Sequence, residues 1–273
     1  MAQKSNPNSF QKNLKKPISF GSSFHQSEYS ILLKEYFTVS TNLIAFFEKN
    51  NCIVKNCFFS LNNEKSFTTL FLSFLILRRS KKKRKIESTV DQQIKTSFVV
   101  QKFLSILSKF GYISSKRLVL QNLNKVALKY QKTFFANEHF QIQKEFMPFR
   151  KEIYYVPGIF LFCLMNTTKN TSSLLSKFIA RFFKIFHRTK NLNKFLFFLS
   201  KFVESIDLIG FKDQIKGLKI QISGRFKGEP RTKTRIFEKG QIPLQTISNN
   251  ISYSLTHVHT SYGVFGIKVW VFE

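Results

Sequence analysis

Glycine, proline, cysteine and acidic residues are all scarce in this 273-residue chain, and each scarcity excludes something. Three cysteines, Cys52, Cys57 and Cys163, cannot complete a zinc quartet and form no disulfide framework, so free thiols in a reducing compartment are expected. Apolar runs such as Leu70 to Leu77 and Phe195 to Leu199 stop well short of the roughly 18 to 20 residues of a membrane span. No integral membrane span is expected. Phosphate loops of the Walker type and G-x-S-x-G elbows are missing, and His257 and His259 have no nearby Cys, Asp or Glu to complete a metal site. No enzyme, metal or cofactor is expected. The N-terminus lacks both an apolar signal core and any arginine before Arg78, so no secretory or transit signal is read there.

What is abundant points elsewhere. The chain sets 44 Lys+Arg against 15 Asp+Glu, a formal net charge of +29, and such self-repulsion calls for a polyanion, nucleic acid before a lipid surface. Thirty-four Phe, with many Lys, Asn and Ile, are residues of A/T-rich codons and read as the drift of an organellar gene, so much of the Phe is core filling. The GC content of the coding sequence checks this.

Along the chain, residues 1–30 are polar, carry Pro7 and Pro17 and hold no acid before Glu28, which describes an extended basic arm. Ser30 to Lys49 has apolar residues at helical spacing, and Cys52 to Leu61 and Ser66 to Leu77 read as a β-hairpin joined by Asn62 to Lys65. Next comes RRSKKKRK, in which Arg78, Arg79, Lys81, Lys82, Lys83, Arg84 and Lys85 are too dense for a folded face without phosphate counter-charge. Residues 91–171 read as an insertion, with helical patterns over Val99 to Phe110 and Leu118 to Ala136 and an irregular stretch from Glu145 to Pro157.

Ser172 to Ile206 is sharper. Phe178, Ile179, Phe182, Phe183 and Phe186, then Leu192, Phe195, Leu196, Leu199, Phe202 and Val203, form the apolar stripes of two amphipathic helices joined near Thr189 to Asn191. Seven of the ten glycines fall between Gly210 and Glu273, where they separate runs with period-two alternation. Four strands are read there, with Arg231, Lys233 and Arg235 on one face of the second, about 7 Å apart by the strand rise. The class is α+β, two helices on a four-stranded, mainly antiparallel sheet in residues 172–273.

Three blocks of this segment, Gly217 to Arg225 (GLKIQISGR), Gly240 to Thr246 (GQIPLQT) and His259 to Trp270 (HTSYGVFGIKVW), together with the opening MAQKSNPN, resemble the small-subunit ribosomal protein S-three family in an organellar form. The resemblance implies a structural constituent of the small-subunit head. Its partners would be small-subunit rRNA, mRNA at the channel through which it enters, and neighbouring head proteins. It further implies a type II KH-like N-terminal domain over 31–90, here degenerate, because no glycine lies between Gly21 and Gly111 to form the G-x-x-G loop. Expected rRNA contacts are Lys4 in the arm, the seven cations from Arg78 to Lys85, and Arg225, Arg231, Lys233 and Arg235. Arg188, Lys190 and Lys194 are the expected mRNA-facing cations. Composition and the missing import signal favour the mitochondrial matrix and its ribosome, with a plastid as the alternative. The competing class is a free-standing basic organellar factor acting in splicing or RNA stability.

Overall fold

A computed structural model describes Pro7 and residues 26–61, 67–77, 117–133, 144–189, 191–208, 215–246 and 249–273. These fall into two compact units, one within Lys16–Leu123 and the other made of Asn124–Glu273 with Pro7.

The first unit opens with helix α1, Gln26–Lys49, followed by strands β1, Cys52–Leu61, and β2, Phe67–Ile76. The helix stops because Asn51 adopts a left-handed conformation, φ 57°, which short polar side chains tolerate. Asn50 donates its backbone N–H (3.2 Å) and its Nδ2 (2.9 Å) to the Phe46 carbonyl, satisfying an end that would otherwise be open. The hairpin expected from the sequence forms, with β1 and β2 antiparallel and the Phe47 ring of α1 lying 5.2 Å from that of Phe74. Leu43, Phe47, Ile53, Val54, Phe74 and Leu75 are buried.

Leu118 to Ala136 differs from the helix its pattern suggests. Arg117–Asn122 is strand β3, parallel to β2, and only Leu123–Thr133 is helical, as α2. A β-branched and leucine-rich run of this length satisfies either period, and pairing with β2 decides it. The expected turn at Asn62 to Lys65, the Arg78 to Lys85 run and the Val99 to Phe110 helix lie outside the described residues.

In the second unit the stretch from Glu145 to Pro157 is also more ordered than its sequence suggests. A 3-10 turn, Met147–Phe149, leads into helix α3, Tyr155–Thr167, with Pro157 in its first turn, where the missing N–H is harmless. Helices α4, Ser172–Phe186, and α5, Asn191–Glu204, follow, and every residue of both expected apolar stripes is buried. Gly158 lets α3 approach α5 closely, since a Cβ there would stand 2.6 Å from the Phe198 ring. Tyr154, buried completely, is ringed by Phe149, Phe182, Phe186, Phe195 and Phe198 at centroid distances of 4.9 to 6.3 Å.

Strands β4, Gly217–Gly224, β5, Lys233–Gly240, β6, Ile251–Thr260, and β7, Gly263–Phe272, form an antiparallel sheet in the order β5-β4-β7-β6. Leu218, Ile220, Ile222, Phe265, Ile267, Val269 and Val271 share the face turned to the helices and are buried. Along the edge strand β6, Ser176 Oγ of α4 lies 2.7 Å from Ser254 Oγ, and Thr256 Oγ1 donates to the Ser176 carbonyl at 3.4 Å. Strand β5 is an edge, exposed along nearly its whole length. The chain is thus α+β, with helices on one face of a four-stranded antiparallel sheet, as its periodicity indicates.

Candidate nucleic-acid interface

The cations read from the sequence are distributed unevenly. Lys4, the seven positions from Arg78 to Lys85, and Lys190 lie outside the described residues. The others can be placed, and one end of the sheet gathers most of them.

That end is assembled from three segments. At the first, β4 leaves the sheet through Gly224, where a Cβ would meet the Phe265 ring at 2.3 Å. The chain then tucks Phe226 inward, 5.4 Å from Phe265 and 6.1 Å from Phe183, and reverses through Lys227 (φ 56°) and Gly228 (φ 78°). Arg225 points its Nε to the Glu229 carbonyl at 2.9 Å, and Glu229 in turn pairs with Lys233 at 2.5 Å. Arg231 lies before β5, because pairing with β4 begins only at Lys233 opposite Gly224; the expected three-cation strand face is reduced to Lys233 and Arg235. The Arg235 guanidinium sits 5.4 Å from the Phe226 ring centroid, a cation–π contact that fixes it beside the turn.

The second segment is the C-terminus of α4, where positive charge meets the negative end of the helix dipole. His187 Nδ1 lies 3.0 Å from the Lys184 carbonyl, and a carbonyl only accepts, so this nitrogen carries the proton. In the neutral ring Nε2 is then the acceptor for the Ser261 hydroxyl, 3.2 Å away. Arg188 donates its Nε to the same Ser261 oxygen at 2.9 Å.

The third segment, the β6–β7 turn, supplies Ser261 and Tyr262. The Tyr262 ring meets His187 edge to face at 5.7 Å and closes on Gly228, whose absent Cβ would stand 3.1 Å from it. Arg188, placed by sequence with the mRNA-facing group, is therefore linked through Ser261, Tyr262 and Gly228 to the loop that carries Arg225 and Lys227. Lys194 goes elsewhere, to Glu152 at 3.7 Å. Sequence reasoning did not single out His187, Ser261, Tyr262 or Lys227. Their one signal was Tyr262 before Gly263 in a tight turn, since the rest of the cluster comes from distant segments.

Strand register places His257 and His259 on the sheet face away from the helices, both exposed. Among the described residues no group of three His, Cys, Asp or Glu could hold a metal ion, and no helix is long and apolar enough to cross a membrane.

Comparison with known proteins centres on this same sheet. Residues 203–271 match the family model described as ribosomal protein S3, C-terminal domain. Residues 203–271 thus form an S3-type C-terminal domain. It is 48% identical over 58 residues to small ribosomal subunit protein uS3 of Blochmanniella floridana, covering 21% of this chain and 25% of that protein. To uS3c of Guillardia theta it is 45% identical over 59 residues, 22% of this chain and 27% of the relative. To uS3c of Sorghum bicolor it is 26% identical over 224 residues, 80% of this chain and 87% of the relative. Over the well-matched domain the chain spans about a quarter of the length of the curated S3 relatives. The S3 match includes Arg225, Arg231, Lys233, Arg235, Ser261 and Tyr262, while Arg188 and Lys194 precede it.

Proposed function

We propose that this protein is a structural, non-enzymatic constituent of the small subunit of an organellar ribosome, held there by small-subunit rRNA. The observation that carries the reading is the S3-type sheet whose one end gathers Arg188, Arg225, Lys227, Lys233 and Arg235, with the Glu229 carboxylate paired to Lys233. Phosphate contacts by such a group supply affinity without reading sequence. Lys4 and the Arg78 to Lys85 run extend the same chemistry, with the lysines replacing by point charge the backbone cradle of a glycine loop. The KH-like assignment of residues 31–90 belongs to this proposal, supported by α1 followed by the β1–β2 hairpin. Arg188, Lys190 and Lys194 are proposed to face mRNA at the channel by which it enters, beside neighbouring head proteins. The relatives named uS3c favour a plastid at least as strongly as composition favours a mitochondrion.

Sedimentation tests the core of the proposal. In organelle lysate the protein should run stoichiometrically with the small subunit in high salt. A free-standing RNA factor would wash off as counter-ion-driven affinity falls, and a peripheral membrane protein would float with lipid after nuclease treatment. Either result overturns the ribosomal assignment. Separating plastid from mitochondrial ribosomes before sedimentation identifies the organelle.

A further inference from the structure

We propose that the cationic end of the sheet is a site for single-stranded RNA, in which Arg188 takes a backbone phosphate and Tyr262 stacks on an unpaired base. Ser261 and His187 act there as positioning residues. The inference rests on the proposed RNA-bound role and names the site and form of RNA within it.

Three observations support it. Arg188 is exposed, and Ser261 Oγ occupies its Nε, while among the described residues no partner holds either Nη group of the planar fork, which suits a phosphate. That fork is held in place by a chain of contacts: His187 Nδ1 lies against the Lys184 carbonyl, Nε2 lies against the Ser261 hydroxyl, and the Ser261 oxygen accepts from Arg188. Beside it, Tyr262 is half-buried, seated between His187 and Gly228, so its ring is oriented without being enclosed. An aromatic platform next to cations that follow the backbone is how proteins hold single strands without sequence preference. A duplex keeps its bases stacked and offers Tyr262 nothing.

Fluorescence anisotropy with the full chain and two labelled probes, a 12-nucleotide oligouridylate and a 12-base-pair RNA duplex, tests this across a salt series. Tyr262→Leu, which keeps an apolar side chain against Gly228, should weaken oligouridylate binding about tenfold and duplex binding less than twofold, whereas Tyr262→Phe retains both. Arg188→Ala should lower the slope of log affinity against log salt by about one phosphate. Ser261→Ala should weaken oligouridylate binding about threefold with the slope unchanged, and Ser261→Thr should restore it. Unchanged emission from Trp270, the single tryptophan, verifies the fold of each variant. Equal losses with both probes on Tyr262→Leu, or an unaltered affinity on Ser261→Ala, would overturn the site. A wild-type chain that binds neither probe would defeat the RNA-bound reading itself.

Discussion

Adding one methyl group at Gly224 should cost the second unit measurable stability. A Cβ built there would lie 2.3 Å from Phe265 Cδ1 and 2.7 Å from Cε1, whereas ordinary contact begins near 3.4 Å, so the ring must withdraw by about 1 Å. It has little room. Phe265 is 1% exposed and faces Phe183 at 5.3 Å and Phe226 at 5.4 Å, in an interior packed to the density of an organic crystal. Overpacking of this kind costs about 1 to 3 kcal/mol, against a gain of roughly 0.5 kcal/mol from removing a flexible glycine from a strand. For a unit of this size each kcal/mol lowers the melting temperature by about 2 to 4 °C, so Gly224→Ala should melt roughly 1 to 10 °C lower. Trp270 emission follows the transition, because Trp270 lies on β7, nearly buried, 5.3 Å from the Tyr253 ring. Combining Gly224→Ala with Phe265→Leu should be less harmful than the two singles added, by about 1 kcal/mol, as the methyl enters the space the ring vacates. A shift under 1 °C, or strict additivity in the double variant, refutes the reasoning.

Tyr154→Phe should be neutral or stabilise the second unit by up to about 2 kcal/mol in urea unfolding, because the buried hydroxyl has no hydrogen-bond partner among the described residues; a loss above about 1 kcal/mol would sink this. Burial pushes the Cys52 and Cys163 thiols from 9.0 up to about 11. Below pH 9 both states keep these protons and stability is constant. Between pH 9 and about 11 only unfolded thiols ionise, so each cysteine withdraws about 2 to 3 kcal/mol from the folded state. Urea midpoints for Cys163→Ala should therefore fall less steeply over that window than wild type, and parallel curves would contradict it. Removing the charges of Arg188, Lys190 and Lys194 together should slow translation of structured mRNA without preventing subunit assembly, and an unchanged rate counts against the mRNA-facing assignment. Lys194→Ala alone should cost less than about 1 kcal/mol in thermal melts, since its pair with Glu152 is largely exposed.

Much of the second unit was legible because β4, α4 and α5 each bury one face only. Leu218, Ile220 and Ile222 alternate with polar neighbours, and the phenylalanines of α4 and α5 repeat at helical spacing, so period alone gives element and buried face. Helix α3 escaped the reading for the opposite reason. Residues 159–165 are buried on every side, so YVPGIFLFCLMNT carries no polar stripe from which a period could be read. Strand β3 is defined by its parallel partner β2, a long-range pairing that a local window does not contain. The candidate site was half legible. Charge identified Arg188, Arg225, Arg231, Lys233 and Arg235, but only the reversal at Lys227 and Gly228 and the contact of Tyr262 with His187 show which of them meet.

Strand β5 carries a consequence for the protein on its own. An open edge of eight residues is a template on which a second copy could add a strand, the kind of pairing that leads to aggregates. Lys233, Arg235 and Lys239 would confront the same cations on an approaching copy, and Glu238 is already engaged by Lys219 of β4. The cations along β5 thus oppose strand addition by a second copy at this edge.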